Sequence, residues 1–132
     1  MTGYKMWFAV NALLADDKLI PIPIEIREPA RSDHDLLRKI RKERIDKSRL
    51  LHVQFSLRNN PLERAYCLSQ IRIPLEEPKP REEYLRDLAG AYFCIAPKGR
   101  GIDTHRAREA LYLQTIPVLT RTALTDTYPE SQ

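Results

Sequence analysis

The chain has 132 residues, of which 42% are hydrophobic and 30% are charged. This composition excludes a disordered chain, and the length predicts one domain over residues 1–132. No apolar run approaches the roughly 20 residues of a membrane-spanning helix, and the N-terminus lacks the basic and then apolar order of a secretory signal. We therefore expect a soluble chain with no membrane span, in a compartment that the sequence leaves open.

The cysteines and the charge distribution narrow the class further. Cys67 and Cys94 are too few for a disulfide framework and lack zinc-site spacing, so both are expected to be buried free thiols. The formal net charge is +4, and three of these charges come from residues 33–49, which hold seven Lys or Arg and four Asp or Glu. Such a segment is either a solvated helix face or a surface for phosphate groups. It has no interleaved aromatic residues, so a basic nucleic-acid-binding domain is kept only as a further alternative.

Four short apolar runs are predicted to form strands. Residues 19–24 contain Pro21 and Pro23, which cannot donate to a ladder, so this strand must lie at an edge or be partly irregular. The other three runs are nearly continuous, as is typical of strands buried on both faces of a parallel sheet, and cover residues 50–57, 91–96 and 115–120.

Helices are predicted between these strands. Residues 32–47 carry a helix start signal and place apolar residues on one broad side, namely Leu36, Leu37, Ile40 and Ile45. Asn60, Pro61 and Glu63 occupy the N-cap, first-turn and third positions of a helix that runs to about Ser69.

Two further helices follow along the chain. Residues 81–89 are predicted to be helical and closed by Gly90 in a left-handed conformation, and a last helix covers residues 103–114. Strands that alternate with helices of about 10 to 15 residues indicate βαβ units. The pattern therefore predicts an α/β layered domain with right-handed crossovers.

The densest functional signal is the loop between the strand at 91–96 and the last helix. Gly99 and Gly101 allow the backbone to approach a ligand closely, and the loop lies at the carboxyl edge of the sheet, where open α/β folds bind ligands. The helix N-terminus offers N–H groups and positive potential, and cationic donors follow at Lys98, Arg100 and Arg106. This arrangement suits a diphosphate, although it is neither a Walker loop nor GxGxxG.

Arg106 and Glu109 lie three residues apart and therefore share a helix face. Arg can fork onto phosphate oxygens, and Glu can accept hydrogen bonds from ribose hydroxyls. The alternative interpretation is an internal Arg–Glu pair on a solvated helix. His105 is likewise either a ligand for a phosphate or sugar or a surface residue at a helix start.

Other polar and aromatic residues also have two interpretations. Four polar residues at the end of the 50–57 run either bind a ligand or serve turn and capping roles. They are Ser56, Arg58, Asn59 and Asn60. His52 alternates with apolar neighbours and is expected to be a satisfied core histidine. Trp7 and Phe8 are expected in the core rather than as a stacking surface.

Residues 93–119, FCIAPKGRGIDTHRAREALYLQTIPVL, resemble the donor-site motif of exostosin-like glycosyltransferases, a GT-B family. That motif runs as an apolar strand, PxGxGxDxxRxxEAL, a short link and a PV-type strand. It is matched in order by Pro97, Gly99, Gly101, Asp103, Arg106, Glu109, Ala110, Leu111, Pro117 and Val118. The resemblance extends to residues 7–11, 19–24, 50–64 and 82–97, and residues 123–129 resemble the approach to the family's next strand.

This resemblance implies a Rossmann-like parallel sheet with flanking helices, the C-terminal donor-binding half of a GT-B enzyme without its N-terminal acceptor domain. By position, Arg106 would contact the donor diphosphate and Glu109 the ribose, while Gly99 and Gly101 would keep the loop open to the phosphates. The remaining expected site residues are Lys98, Asp103 and His105.

The resemblance also implies the substrates. The donor would be a UDP- or GDP-sugar and the acceptor a glycan or another hydroxyl compound, with no tightly bound cofactor and no metal. A separate chain that supplies the acceptor domain is one possibility, which the sequence leaves open. No residue is assigned as a catalytic base. The alternative is a noncatalytic nucleotide-sugar-binding module or a partial gene product.

Overall fold

A computed structural model describes residue 3 and residues 5–24, 31–122 and 124–127, with the backbone alone for residues 31, 32 and 127. Its strands are β1 (Trp7–Val10), β2 (Leu19–Ile22), β3 (Arg49–His52), β4 (Ala91–Ile95) and β5 (Ile116–Val118). Its α-helices are α1 (Arg31–Lys42), α2 (Pro61–Ile71), α3 (Arg81–Ala89) and α4 (His105–Tyr112). Two 3-10 turns cover Leu57–Asn59 and Thr125–Thr127.

Strands β3, β4 and β5 form a parallel sheet in that order, with β4 in the centre. Leu51 pairs with Phe93, and Phe93 pairs with Ile116. Helices α2 and α3 connect β3 to β4, and α4 connects β4 to β5. The predicted alternation of strands and helices, and the α/β Rossmann-like class with a parallel sheet, are therefore confirmed.

Helices pack on both faces of this sheet. One face carries α1, α3 and α4, and its buried cluster comprises Leu37, Ile40, Leu85, Leu88, Ala89, Cys94, Ala110 and Leu113. Helix α2 covers the other face, where Val53, Phe55 and Ile95 are buried and Cys67 packs beside them. Burying a large apolar side chain contributes about 1.5 to 3 kcal/mol, so these clusters fix the positions of the helix ends that form the site.

Several helix ends differ from the predicted ones. Helix α1 stops at Lys42 rather than at residue 47, because the chain turns at Arg44, whose φ of 48° lies in the left-handed region. Helix α2 begins as predicted, with the Asn60 side chain accepting a hydrogen bond from the Glu63 N–H at 3.4 Å. The left-handed conformation predicted for Gly90 is wrong: its φ is −80°, and its N–H continues the helical pattern to the Arg86 carbonyl.

Strands β1 and β2 form a separate two-stranded parallel sheet, in which Ala9 pairs with Pro21. The edge position predicted for the proline-containing strand is therefore confirmed. The core positions predicted for Trp7 and Phe8 are wrong, since their exposed fractions are 64% and 63%. Val10 is also exposed, so much of the apolar surface of β1 has no described element packed against it.

The three-stranded sheet is not buried on both faces throughout. Cys94 and Ile95 in the central strand are buried, but Ile116 and Val118 in β5, which lies at an edge of this sheet, are 57% and 46% exposed. Cys94 is a buried free thiol as expected, whereas Cys67 is only partly buried. Of residues 123–129, those at 123 and 128–129 lie outside the described residues, and the rest include the turn at Thr125–Thr127.

Candidate functional site

A cleft of about 590 Å³ opens at the carboxyl end of the three-stranded sheet. The segments that follow β3 and β4 and the N-terminal turns of α3 and α4 form its walls. Its lining residues are Asn11, Ile24, Ser56, Asn59, Arg64, Lys79, Arg81, Tyr84, Gly99, Arg100, Gly101, Asp103, Thr104, His105, Arg106 and Glu109. Six of the seven residues expected in the site thus lie together, and the exception is Lys98.

The two glycines of the loop make room for protein side chains. A Cβ at Gly101 would lie 2.5 Å from the side chain of Asn11, and a Cβ at Gly99 would lie 3.0 Å from Nη2 of Arg64. No described glycine has a positive φ, so close approach rather than backbone conformation explains these positions. The close approach to a ligand that the sequence predicts for these glycines stays a prediction, and the close contacts in the structure are with Asn11 and Arg64.

Arg64 is the most deeply placed cation of the cleft, with an exposed fraction of 3%. Its Nε donates to the Lys98 carbonyl at 2.9 Å, and its Nη1 donates to the Ser56 carbonyl. Within the described part of the chain, Arg64 has no carboxylate partner. Burial lowers the pKa of Arg64, and the charge of Arg106 lowers it further. A buried cation held only by neutral oxygens favours an anion as its missing partner.

Arg106 lies beside Arg64 at the start of α4. Both guanidinium groups contact the Phe55 ring, with Cζ atoms 5.6 Å and 5.7 Å from its centroid. Arg106 Nε donates to the Tyr84 hydroxyl at 3.2 Å, and none of the described carboxylates pairs with it. Arg100 also lines the cleft and is exposed. The cleft therefore presents three guanidinium groups with no described counter-charge.

Glu109 is 3% exposed and does not pair with Arg106. Its Oε1 accepts from Nη2 of Arg81 at 2.5 Å, and Arg81 also holds Asp33 through two bonds of 2.9 Å and 2.8 Å. The internal Arg106–Glu109 pair, one of the two interpretations of their spacing, is therefore absent. Glu109 is instead fixed from α3, and it still lines the cleft.

Asp103 is buried and has a structural role. Its N–H donates to Oδ1 of Asn11 at 2.7 Å, and its Oδ2 accepts from the N–H of Ile24 at 2.8 Å and from Arg108 at 3.0 Å. The expectation that Asp103 contacts the ligand thus competes with three protein contacts. Lys98 contributes its carbonyl to Arg64, whereas its side chain does not line the cleft.

Thr104 and His105 begin helix α4 at the cleft wall. Thr104 is the N-cap residue, but its side chain makes no capping bond, and its buried Oγ1 has no hydrogen-bond partner in the described ranges. His105 is the first residue of the helix. Both side chains are therefore placed next to the N–H groups of the first helical turn.

The core behind the cleft is uncharged at neutral pH. Burial lowers the pKa of His52 to about 4, and raises the pKa values of Tyr84 and Cys94 to about 12. His52 is fully buried as expected, and its Nδ1 lies 3.9 Å from the Cys94 sulfur. Its Nε2 has no hydrogen-bond partner among the described residues, so the expectation of a satisfied core histidine is met only in part. The positive charge of the cleft comes from its arginines and from Lys79, and Lys79 is paired with Glu76 and Asp87.

A second cationic region, the basic groove, is lined by Arg38, Arg41, Lys42, Arg44 and Tyr112 and has a volume of about 410 Å³. It lies at the C-terminal ends of α1 and α4, whereas the cleft lies at their N-terminal ends. Other cations of residues 33–49 are used within the protein, since Lys39 pairs with Glu82 and Arg49 with Glu76. The nucleic-acid alternative therefore has fewer available charges than the sequence suggested.

Sequence reasoning missed seven residues of the cleft, namely Asn11, Ile24, Arg64, Lys79, Arg81, Tyr84 and Thr104. Arg64 is one turn into α2, and the Asn60 cap that the sequence did identify is the signal that places it near the ligand edge. Ser56 and Asn59 line the cleft, while Asn60 caps α2 and donates to the Gly99 carbonyl at 3.2 Å. Arg58 is exposed and does not line it.

Comparison with protein-family models found none that matches this sequence, and comparison with curated proteins found no match either. The resemblance to exostosin-like glycosyltransferases therefore depends on the motif residues alone and stays a prediction. Among the side chains that the structure describes, no group of three His, Cys, Asp or Glu is placed to hold a metal ion. No helix within the described ranges has the length and apolar character needed to cross a membrane.

Proposed function

We propose that the cleft binds the diphosphate of a nucleotide-sugar donor, and that this chain is the donor-binding half of an exostosin-like glycosyltransferase. The observation that carries the proposal is the pair of guanidinium groups of Arg64 and Arg106. They flank one phenyl ring beside the glycine loop and have no described carboxylate to neutralise them. A diphosphate supplies the multiple negative charges that this pair lacks, whereas a neutral sugar or nucleoside does not.

The position of the pair suits sugar transfer. In this reaction the bond between the anomeric carbon and the diphosphate oxygen breaks, the acceptor oxygen bonds to that carbon, and the acceptor hydroxyl loses its proton. Negative charge grows on the departing diphosphate. Arg64 and Arg106, held in place before the reaction by carbonyl and hydroxyl groups, would stabilise that charge without reorganising.

A noncatalytic nucleotide-sugar-binding module is the second candidate, and one observation favours it. The carboxylates that line the cleft, Asp103 and Glu109, are both engaged in ion pairs, with Arg108 and Arg81. A carboxylate neutralised in this way is a poor general base. This candidate predicts the same ligand affinity but no consumption of the donor.

The proposal is tested by titration calorimetry of the chain with UDP and GDP, compared with uridine and guanosine. We expect the diphosphates to bind at least tenfold more tightly, because each charge-assisted contact contributes about 1.5 to 3 kcal/mol. Equal binding of nucleoside and diphosphate, or no binding of either, would overturn the proposal. Release of free sugar from the donor then separates the enzyme from the noncatalytic module.

Two variants locate the binding site. Arg106→Ala should weaken diphosphate binding by about 1.5 to 3 kcal/mol through loss of a charge-assisted contact. Arg58→Ala is the matched control, because Arg58 is an exposed arginine near the same sheet edge that does not line the cleft. Equal losses in the two variants would indicate attraction by general positive charge rather than by the cleft.

A further inference from the structure

Arg81 lines the cleft, but it belongs neither to the glycosyltransferase-like motif nor to the proposed diphosphate contact, so its role there needs an explanation. Its guanidinium group is forked onto Asp33, at 2.9 Å and 2.8 Å, and the same Nη2 reaches Oε1 of Glu109 at 2.5 Å. The three residues belong to α3, α1 and α4, and the side chains of Asp33 and Glu109 are 11% and 4% exposed. One planar group thus ties the first turns of α1 and α3 to the second turn of α4.

Arg81 fixes one carboxylate oxygen of Glu109 and leaves the other without a described donor. No described residue other than Arg81 hydrogen-bonds to the side chain of Glu109, although this residue lines the cleft. A carboxylate held at one oxygen has a defined orientation, and its second oxygen can accept from a ligand hydroxyl. Arg81 can hold this geometry because its Nε and Nη2 atoms both donate to the Asp33 carboxylate, which fixes the plane of the guanidinium group.

We infer that Arg81 is a positioning residue that orients Glu109 toward the ribose hydroxyls of the ligand and thereby makes the cleft selective for ribonucleotides. This inference rests on the proposed function, since it requires a nucleoside diphosphate in the cleft. Arg81 acts through Glu109 and holds no ligand atom itself. The ligand class it selects is a nucleoside diphosphate with a free 2′-hydroxyl.

The experiment measures dissociation constants for a nucleoside diphosphate and its 2′-deoxy analogue. We expect the wild-type chain to prefer the ribonucleotide about tenfold, as befits one hydrogen bond to a charged group. Arg81→Lys should reduce that preference to about twofold or less, because an ammonium group is a point charge that cannot fork onto Asp33 and also fix Glu109. Binding of the deoxy analogue should change much less.

Arg86→Lys is the matched control on the same helix. Arg86 also bridges two carboxylates, those of Glu43 and Glu82, but it does not line the cleft. This variant controls for the general cost of replacing a bridging arginine and should keep the tenfold preference. If Arg81→Lys does not fold, Asp33→Asn takes its place, since it keeps Arg81 but removes the charge that anchors it.

The possible results are distinguishable. If the wild type binds no nucleoside diphosphate, the proposed function fails. If the wild type binds ribose and deoxyribose ligands equally, or if the preference survives in Arg81→Lys and in Asp33→Asn, the diphosphate site stands and the role of Arg81 is overturned. Loss of the preference in the Arg86 control as well would show a structural effect and would also overturn it.

Discussion

The cleft and the basic groove both gather arginines, at opposite ends of α1 and α4, but they hold them differently. In the cleft, Arg64 is 3% exposed and bonded to two backbone carbonyls. In the groove, the cationic side chains are exposed, and Arg41 rests on the Tyr112 ring, its Cζ atom 4.8 Å from the centroid. A buried cation has lost its hydration without gaining a counter-charge, whereas an exposed one keeps its water. Burial, rather than the number of cations, therefore distinguishes the proposed ligand site from the basic groove.

The largest expected effect comes from removing the cleft charges together. The double variant Arg64→Gln with Arg106→Gln should weaken diphosphate binding by about 3 kcal/mol or more, which is over a hundredfold. The matched groove variant, Lys42→Gln with Arg44→Gln, carries the same change in net charge and should bind nearly as the wild type does. The measurement is the dissociation constant of the diphosphate for both double variants, obtained by calorimetric titration. Comparable losses of affinity would show that the cleft and the basic groove do not differ in diphosphate binding.

Burial also affects the core behind the cleft, where the buried side chain of His52 makes the stability of the protein depend on pH. The folded-state pKa of His52, about 4, lies below its ordinary value of 6.5, so the unfolded chain binds more protons between these values. The contribution is fully present above about pH 6.5 and is lost as the pH falls to about 4, a change of about 3 kcal/mol.

The measurement for His52 is the free energy of unfolding in urea at a series of pH values. His52→Gln should show a shallower fall than the wild type between pH 6.5 and 4, whatever its stability at neutral pH. His34→Gln is the matched control for the loss of a histidine. An unchanged slope in His52→Gln would show that the pKa of His52 is the same in the folded and the unfolded chain.

Glu109 provides a smaller effect that contrasts a buried ion pair with an exposed one. An exposed Arg106–Glu109 pair, one interpretation of their spacing, would contribute little to stability, whereas the buried pair of Glu109 with Arg81 contributes more. Glu109→Gln should destabilise the protein by about 1 to 3 kcal/mol, because Arg81 loses a buried charged acceptor. Glu82→Gln removes a carboxylate from an exposed network and should have little effect. Chemical denaturation of the two variants makes the comparison.

Gln114 offers the smallest effect and a gain in stability. It follows α4 with a φ of 61°, in the left-handed region, which is energetically unfavourable for residues with a Cβ. Gln114→Gly should stabilise the protein by up to about 1 kcal/mol, since part of the relieved strain is offset by the freedom of glycine in the unfolded chain. The readout is the melting temperature. Gln114→Ala keeps the Cβ, and a similar rise in that variant would contradict the explanation.

Local signals predicted the fold well because they act over a few residues. The Asn60 cap, the limits of α3 and the strand, glycine loop and helix around Gly99 all follow from neighbouring residues in the chain. Helix ends set by a single backbone angle, as at Arg44, were placed less accurately. The core positions assigned to Trp7 and Phe8 failed because apolar character alone does not show whether another element covers a strand.

The site was only half predictable for a related reason. Arg106 and Glu109 were found because they share a helix and a motif with the glycine loop. Arg64 and Arg81 reach their partners across 34 and 28 positions of the chain, and no periodicity encodes such contacts. Their importance depends on burial and on which carboxylates they meet, and these follow only from the packed arrangement of helices.

Asp103 has a mechanical consequence beyond the cleft. It is bonded to Asn11, which follows β1, and to Ile24, which lies 79 positions earlier in the chain, just after β2. The same loop presses Gly101 against the Asn11 side chain. Displacement of the loop must therefore either break these contacts or carry the two-stranded sheet with it. The small sheet and the glycine loop are therefore mechanically coupled through the hydrogen bonds of Asp103.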